Sequence, residues 1–167
     1  MDLVVAASSS GIEHADASGR IPAADGSIDV VYSSHMLEHL PRSVARHFLG
    51  EVRRVLVPGG IVRLAVPDLA LLIAEYQRHG DADRLMASSL LTAEPGSGLR
   101  ARARAWIAGP RHHQWMYDGA SLVRLLGELG FTDAHVVPAG TTRIPEPGPL
   151  DLYERADESL YVEARRA

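Results

Sequence analysis

The sequence predicts an α/β fold, a sandwich of helices on a mostly parallel sheet. Three observations predict it. The segment from Asp25 to Asp68 reads as strand, polar turn, amphipathic helix, glycine stop and second strand, which is one βαβ unit. Strand-like and helix-like segments alternate along the rest of the chain. With 167 residues, 46% hydrophobic and 23% charged, the chain has the size and composition of one soluble domain with a buried core.

Asp2 to Ala7 is a short apolar run that suits a buried strand, and Ser8-Ser9-Ser10-Gly11 breaks it. Ile12 to Ala15 forms a second, weaker strand, and Asp16-Ala17 opens a loop through Gly26. Ile28 to Tyr32 is a firmer strand, because β-branched and aromatic residues dominate it and turn residues precede it. From Ser43, the spacing of Val44, Phe48, Leu49, Val52, Val55 and Leu56 marks one buried helical face, with Pro58-Gly59-Gly60 as its stop. Ile61 to Val66 is the next strand. Leu69 to His79 reads as a helix stopped by Gly80, and Asp83 to Leu91 as a shorter one. Glu94 to Pro110 is irregular and arginine-rich. Asp118 or Ser121 caps a helix striped by Leu122, Leu125, Leu126 and Leu129 and stopped by Gly130. Phe131 to Val137 and Ser159 to Ala164 are two final strands joined by a proline-rich loop.

The absence of cysteine excludes disulfides and thiolate metal sites. A net charge of −4 and the lack of a recognised motif argue against nucleic acid or an anionic membrane as partner. All 17 basic residues are arginine, and lysine and asparagine are both missing, which reads as a GC-rich bacterial coding bias and excludes lysine Schiff-base chemistry. No apolar run approaches the roughly 20 residues that span a bilayer. The opening MDLVVAASSSG makes a poor signal peptide, so the expected compartment is cytoplasmic.

Ordered words in the chain carry a resemblance: Asp16-Ala17, Ile21-Pro22, Asp25-Gly26-Ser27, Asp29 to Tyr32 and Ser33 to Leu40. Glu51, Arg54-Val55-Leu56 and Pro58-Gly59-Gly60 continue it, then His113, Trp115 to Asp118, Gly130-Phe131 and Ser159 to Ala164. Together they resemble the class I S-adenosylmethionine-dependent methyltransferases, in particular small methyltransferases of type 11. The resemblance implies a Rossmann-like methyltransferase fold: a mostly parallel sheet, helices on both faces, an antiparallel C-terminal strand, and a shortened amino terminus. It implies a single domain over 1–167 in which an insertion at about 69–117 forms a lid or substrate wall. It further implies S-adenosyl-L-methionine as cofactor and a small-molecule or sugar-like acceptor.

One family feature is missing: no G-x-G-x-G loop follows a strand. Two registers of the amino terminus are compatible with that. In one, Asp2 ends the family's second strand and binds the cofactor ribose. In the other, Asp2 to Ala7 replaces the first strand, and Ser8 to Gly11 act as a crude small-residue loop. Without the family's first strand, Ile28 to Tyr32 is an exposed sheet edge, and the expectation is a homodimer or another partner that covers it.

The resemblance assigns Asp16 and Ala17 to the adenine, with Ser33, Ser34 and His35 lining the reaction centre at the strand's carboxyl end. His35 is the candidate base, since imidazole titrates near neutrality, and His113 is the second catalytic candidate. Glu38, His39, Trp115 and Tyr117 are candidates for the acceptor wall, Trp115 also for pinning the insertion. His35-x-x-Glu38-His39 also matches the H-x-x-E-H zinc signature, which makes a zinc hydrolase a minor alternative. Pro41 follows too closely for a long ligand-bearing helix, and no metal ligand is assigned on this basis. A non-enzymatic relic of the fold, serving as a binding or assembly subunit, is the main alternative to an enzyme.

Overall fold

The computed structural model describes residues 2–8, 11–16, 18–91 and 112–167, with backbone alone for the first two segments. Strands β1 (Asp2–Ser8) and β2 (Gly11–Asp16) pair antiparallel as a two-stranded ribbon of their own. The main sheet contains β3 (Ile28–Ser34), β4 (Leu56–Pro67), β5 (Phe131–Val137) and β6 (Ser159–Arg166), in the order β3-β4-β6-β5. The helices are α1 (Arg42–Val55), α2 (Leu69–His79), α3 (Ala82–Ser89) and α4 (Gly119–Glu128), with a short 3₁₀ turn at Leu37–His39.

The sheet departs from the expected mostly parallel one. β3 and β4 are parallel, while β6 is antiparallel to both β4 and β5. Three strands share one direction, but the reversed strand lies between two of them, so a single reversal makes two of the sheet's pairs antiparallel. The antiparallel C-terminal strand itself is as expected. Val62, Leu64, Val66, Leu160 and Val162 pack with Phe48, Leu49 and Val52 of α1 and Leu122, Leu125 and Leu126 of α4 in one core, so both helices cover the same face. On the opposite face Arg63, Ala65, Tyr161 and Glu163 alternate with those residues, and among the described residues the loop 138–158 covers them.

α1 buries Ala45, Phe48, Leu49, Val52 and Val55, the steps of three and four that its sequence shows. It ends at Val55, before Pro58-Gly59-Gly60, which forms an irregularity inside β4 where the register with β3 jumps from Ile28↔Leu56 to Val30↔Ile61. Gly59 has φ +78°, and a Cβ on Gly60 would lie 2.9 Å from the Val57 carbonyl oxygen and 3.0 Å from that of Asp29. The Glu51–Arg54 pair of the resemblance proves architectural. Arg54 donates to Glu51, to Asp25 Oδ1 and to the carbonyls of Ile21 and Ala23, and Ile21 N–H donates to Glu51. The pair thereby ties the loop before β3 onto α1.

α2 keeps its expected bounds, with Gly80 in the left-handed conformation at its end. Asp118 caps α4 through a reciprocal box with Ser121. The two ends of the segment 69–117, expected as an insertion, meet at the sheet: Asp68 and Tyr117 form a parallel bridge, and Leu69 N–H donates to the Tyr117 carbonyl. Among the described residues no helix is long and apolar enough to cross a membrane.

Candidate functional site

β3 and β4 are parallel, so their carboxyl ends open on the same side of the sheet, where an open α/β sheet places its ligands. The chain leaves β3 through Ser33 and Ser34 into His35, which holds φ +45°. A non-glycine residue in this region costs on the order of 1 kcal/mol, and such strain gathers at sites whose geometry is imposed. His35 N–H donates to the Ala65 carbonyl at 2.9 Å, and its Nε2 lies 2.9 Å from Ser159 Oγ on β6, so three strands fix the residue. Ser33 is buried, and its hydroxyl has no hydrogen-bond partner among the described residues.

Pro41 precedes α1, and the three residues Leu37–His39 close a 3₁₀ turn instead of a helix. That turn drives Glu38 inward until its side chain is 1% exposed. Three imidazoles surround the carboxylate. His35 Nδ1 lies 3.4 Å from Glu38 Oε1, and His39 Nε2 and His113 Nε2 each lie 3.9 Å from it. The His39 and His113 rings meet edge to face at 4.9 Å. His113 arrives from the far end of the insertion. Its N–H donates to the Leu90 carbonyl, while Gln114 N–H and Trp115 N–H both donate to the Glu38 carbonyl, stapling the insertion to the turn. Burial pushes the His113 imidazole below its ordinary value, and Glu38 only partly offsets this.

The structure thus brings His35, Glu38, His39 and His113 together, and Ser33 and Ser34 lead into them. The H-x-x-E-H reading fails on geometry: His35 lies before the 3₁₀ turn with positive φ, so His35 and His39 are not a helical i, i+4 pair. Tyr117 is fully buried in the main core and stands beneath Arg42, so it pins the insertion and does not line an open wall. Trp115, expected to do the pinning, is 44% exposed and stacks on Arg42 from outside. Asp2 and Asp16 stand opposite each other in the β1–β2 ladder; their side chains, and Ala17 altogether, lie outside the described residues. Because that ribbon is separate from the main sheet, Asp2 to Ala7 does not replace a first strand of it.

Sequence reasoning missed Arg155 and Glu154, both in the loop 138–158. Arg155 Nη1 lies 3.5 Å from His35 Nδ1, and Glu154 accepts from the Tyr32 hydroxyl at 2.9 Å. Burial, with Glu154 adding to it, pushes Tyr32 up to about 12, so it remains a neutral donor. No sequence pattern singles out this loop; its charged residues look like those of any solvated turn.

Residues 4–64 match the family described as a methyltransferase domain. A methyltransferase from Mesorhizobium loti that depends on S-adenosylmethionine superposes with TM-score 0.51 at 22% identity, covering 92% of this chain and 68% of that one. This chain has the α/β Rossmann-like fold of such methyltransferases. A further S-adenosylmethionine-dependent methyltransferase, from Methanosarcina mazei, superposes with TM-score 0.52 at 19% identity over 91% of this chain and 65% of its own length. A chain in the complex of the Haloferax volcanii Trm112 methyltransferase activator matches at TM-score 0.50 and 16% identity, over 91% of this chain and 59% of that one. The chain therefore spans about 59% of the length of that relative. No curated protein matches the sequence.

Proposed function

We propose that this chain is a methyltransferase that transfers the methyl group of S-adenosyl-L-methionine to a small or sugar-like acceptor. The carrying observation is the buried Glu38 ringed by His35, His39 and His113 at the carboxyl ends of β3 and β4, in a fold shared with such enzymes. The described residues fit the acceptor half of such a site: a strained strand exit, a hydroxyl on Ser33 with no partner among them, and imidazoles that can take a proton. The nucleoside half falls to Asp2, Asp16 and Ala17, with Ser33 and Ser34 at its border. The cofactor supplies an electrophilic methyl group. The protein's work is to align an acceptor with it and accept the acceptor's proton.

His35 is the group placed for that proton transfer, because Ser159 and Arg155 orient its ring. His113 lies deeper, and with burial lowering its proton affinity it stays neutral and positions Glu38 and His39. The insertion closes the acceptor side, with Trp115 at its outer surface.

Calorimetry with S-adenosylhomocysteine tests the reading. Binding in the micromolar range supports it. No binding at millimolar ligand overturns it in favour of a non-catalytic subunit with this fold. The acceptor reading has its own readout, because His35→Ala should leave that binding unchanged.

A further inference from the structure

Three atoms converge on one point beside the strand exit, and each presents a lone pair. His113 Nδ1 lies 2.7 Å from the Ser89 carbonyl oxygen, and His39 Nδ1 lies 3.4 Å from that of His112. A carbonyl only accepts, so in both rings Nδ1 carries the hydrogen and Nε2 is left bare. Both bare nitrogens face Glu38 Oε1 at 3.9 Å, and the side chain of Glu38 is 1% exposed. Neither carboxylate oxygen has a hydrogen-bond partner among the described residues. Three acceptors facing each other in a dry pocket repel, and a buried carboxylate without partners is costly. A cation at their centre resolves both. It also explains the backbone carbonyls behind the two rings, which fix tautomer and orientation as the outer partners of metal-bound histidines do.

We propose that Glu38, His39 and His113 form a divalent metal site with zinc-like preference. Two imidazoles and one carboxylate are the borderline nitrogen and oxygen donors that zinc, cobalt and ferrous iron take, whereas magnesium and calcium prefer oxygen alone. The ligating atoms already lie within 4.8 Å of one another. Tetrahedral ligands about 2.0–2.1 Å from zinc are about 3.4 Å apart, so the two 3.9 Å separations from Glu38 Oε1 exceed that spacing only slightly, and the third lies within 4.8 Å. With three protein ligands the metal keeps a coordination position open. His35, whose Nδ1 lies 3.4 Å from Glu38 Oε1, stands beside it. The site goes beyond the methyltransferase reading and does not depend on it. Within that reading, the open position would take an oxygen-bearing acceptor.

The test uses the full chain, purified without a histidine tag and stripped with chelator, titrated with zinc by calorimetry and with cobalt by visible absorption. The expected result is one equivalent bound at micromolar or tighter affinity, with the intense cobalt bands of a low-coordinate site. Affinity should fall at least tenfold in His39→Ala and in Glu38→Gln, and should be unchanged in His79→Ala, whose imidazole lies on α2. His39 is 20% exposed, so its variant is the one least disturbing to the fold, and an unchanged melting curve without metal checks that. The proposal is overturned if the wild-type chain binds no stoichiometric metal, or if His39→Ala binds as tightly as wild type. Binding of S-adenosylhomocysteine, measured on the metal-free chain, judges the methyltransferase reading separately.

Discussion

A methyl group at position 60 would have to displace backbone, because the nearest atoms are the carbonyl oxygens of Val57 and Asp29 and not the ends of mobile side chains. Gly60→Ala should therefore destabilise the fold by about 1–3 kcal/mol, as overpacking does, and urea denaturation measures it. Gly50→Ala serves as the control, since nothing lies within 4 Å of a Cβ there. His35 presents the opposite case, a residue with a full side chain in a glycine-like conformation at φ +45°. Under the proposed function, His35→Ala should lower the methyl-transfer rate by about 10²–10⁴-fold, the usual contribution of a positioned acid or base. A rate within tenfold of wild type in a single-turnover assay would remove His35 from the reaction.

Between β4 and β6 the sheet contains an ion pair with no access to water. Arg63 and Glu163 are 0% and 1% exposed at the side chain and 2.7 Å apart. Arg63 also donates to the Thr141 carbonyl and stands over the Tyr161 ring, while Thr142 Oγ and Arg143 N–H donate to Glu163. Burial alone would raise the Glu163 carboxyl, but the donors from Thr142, Arg143 and Arg63 overcome it and hold the carboxyl below its ordinary 4.5. A carboxyl lowered in the folded state adds stability above its unfolded value and loses it as pH falls toward the folded one. Thermal stability should thus drop as pH falls from about 5 to about 3, and Glu163→Gln should flatten that part of the profile. The same variant leaves Arg63 buried without its counter-charge, which should cost about 3–5 kcal/mol at neutral pH. If it melts within a degree of wild type, the pair does not hold the loop 138–158 to the sheet. Local elements such as α1, α2 and the α4 cap were legible in the sequence, because a helical face and a glycine stop depend on neighbouring residues. The place of β6 was not, because pairing Val62 with Ala164 depends on contacts a hundred residues apart that leave no periodic trace. The candidate site divides the same way. His35, Glu38 and His39 share one word, whereas His113 and Arg155 reach Glu38 and His35 through the fold. Trp115 and Tyr117 are both aromatic and two residues apart, and only tertiary packing decides which is buried.

At the scale of the whole molecule, among the described residues β3 has one hydrogen-bonded neighbour, β4, and its other edge carries no partner strand. β1 comes within 8 Å of β3 without joining its ladder. An open edge of this length, with Val30, Val31 and Tyr32 only partly buried, presents unpaired backbone groups to any strand that can reach them. A second copy is the partner always present, and two-fold symmetry would lay two β3 strands antiparallel, the pairing that makes the better-aligned hydrogen bonds. We therefore expect sedimentation velocity to show a monomer that converts to a dimer as concentration rises through the micromolar range. Amide exchange should slow in Ile28 to Ser34 over the same range, while exchange in β5, the opposite edge, stays constant. A single monomeric species at every concentration, with β3 amides exchanging at one rate throughout, would mean that the β1–β2 ribbon shields the edge without bonding to it.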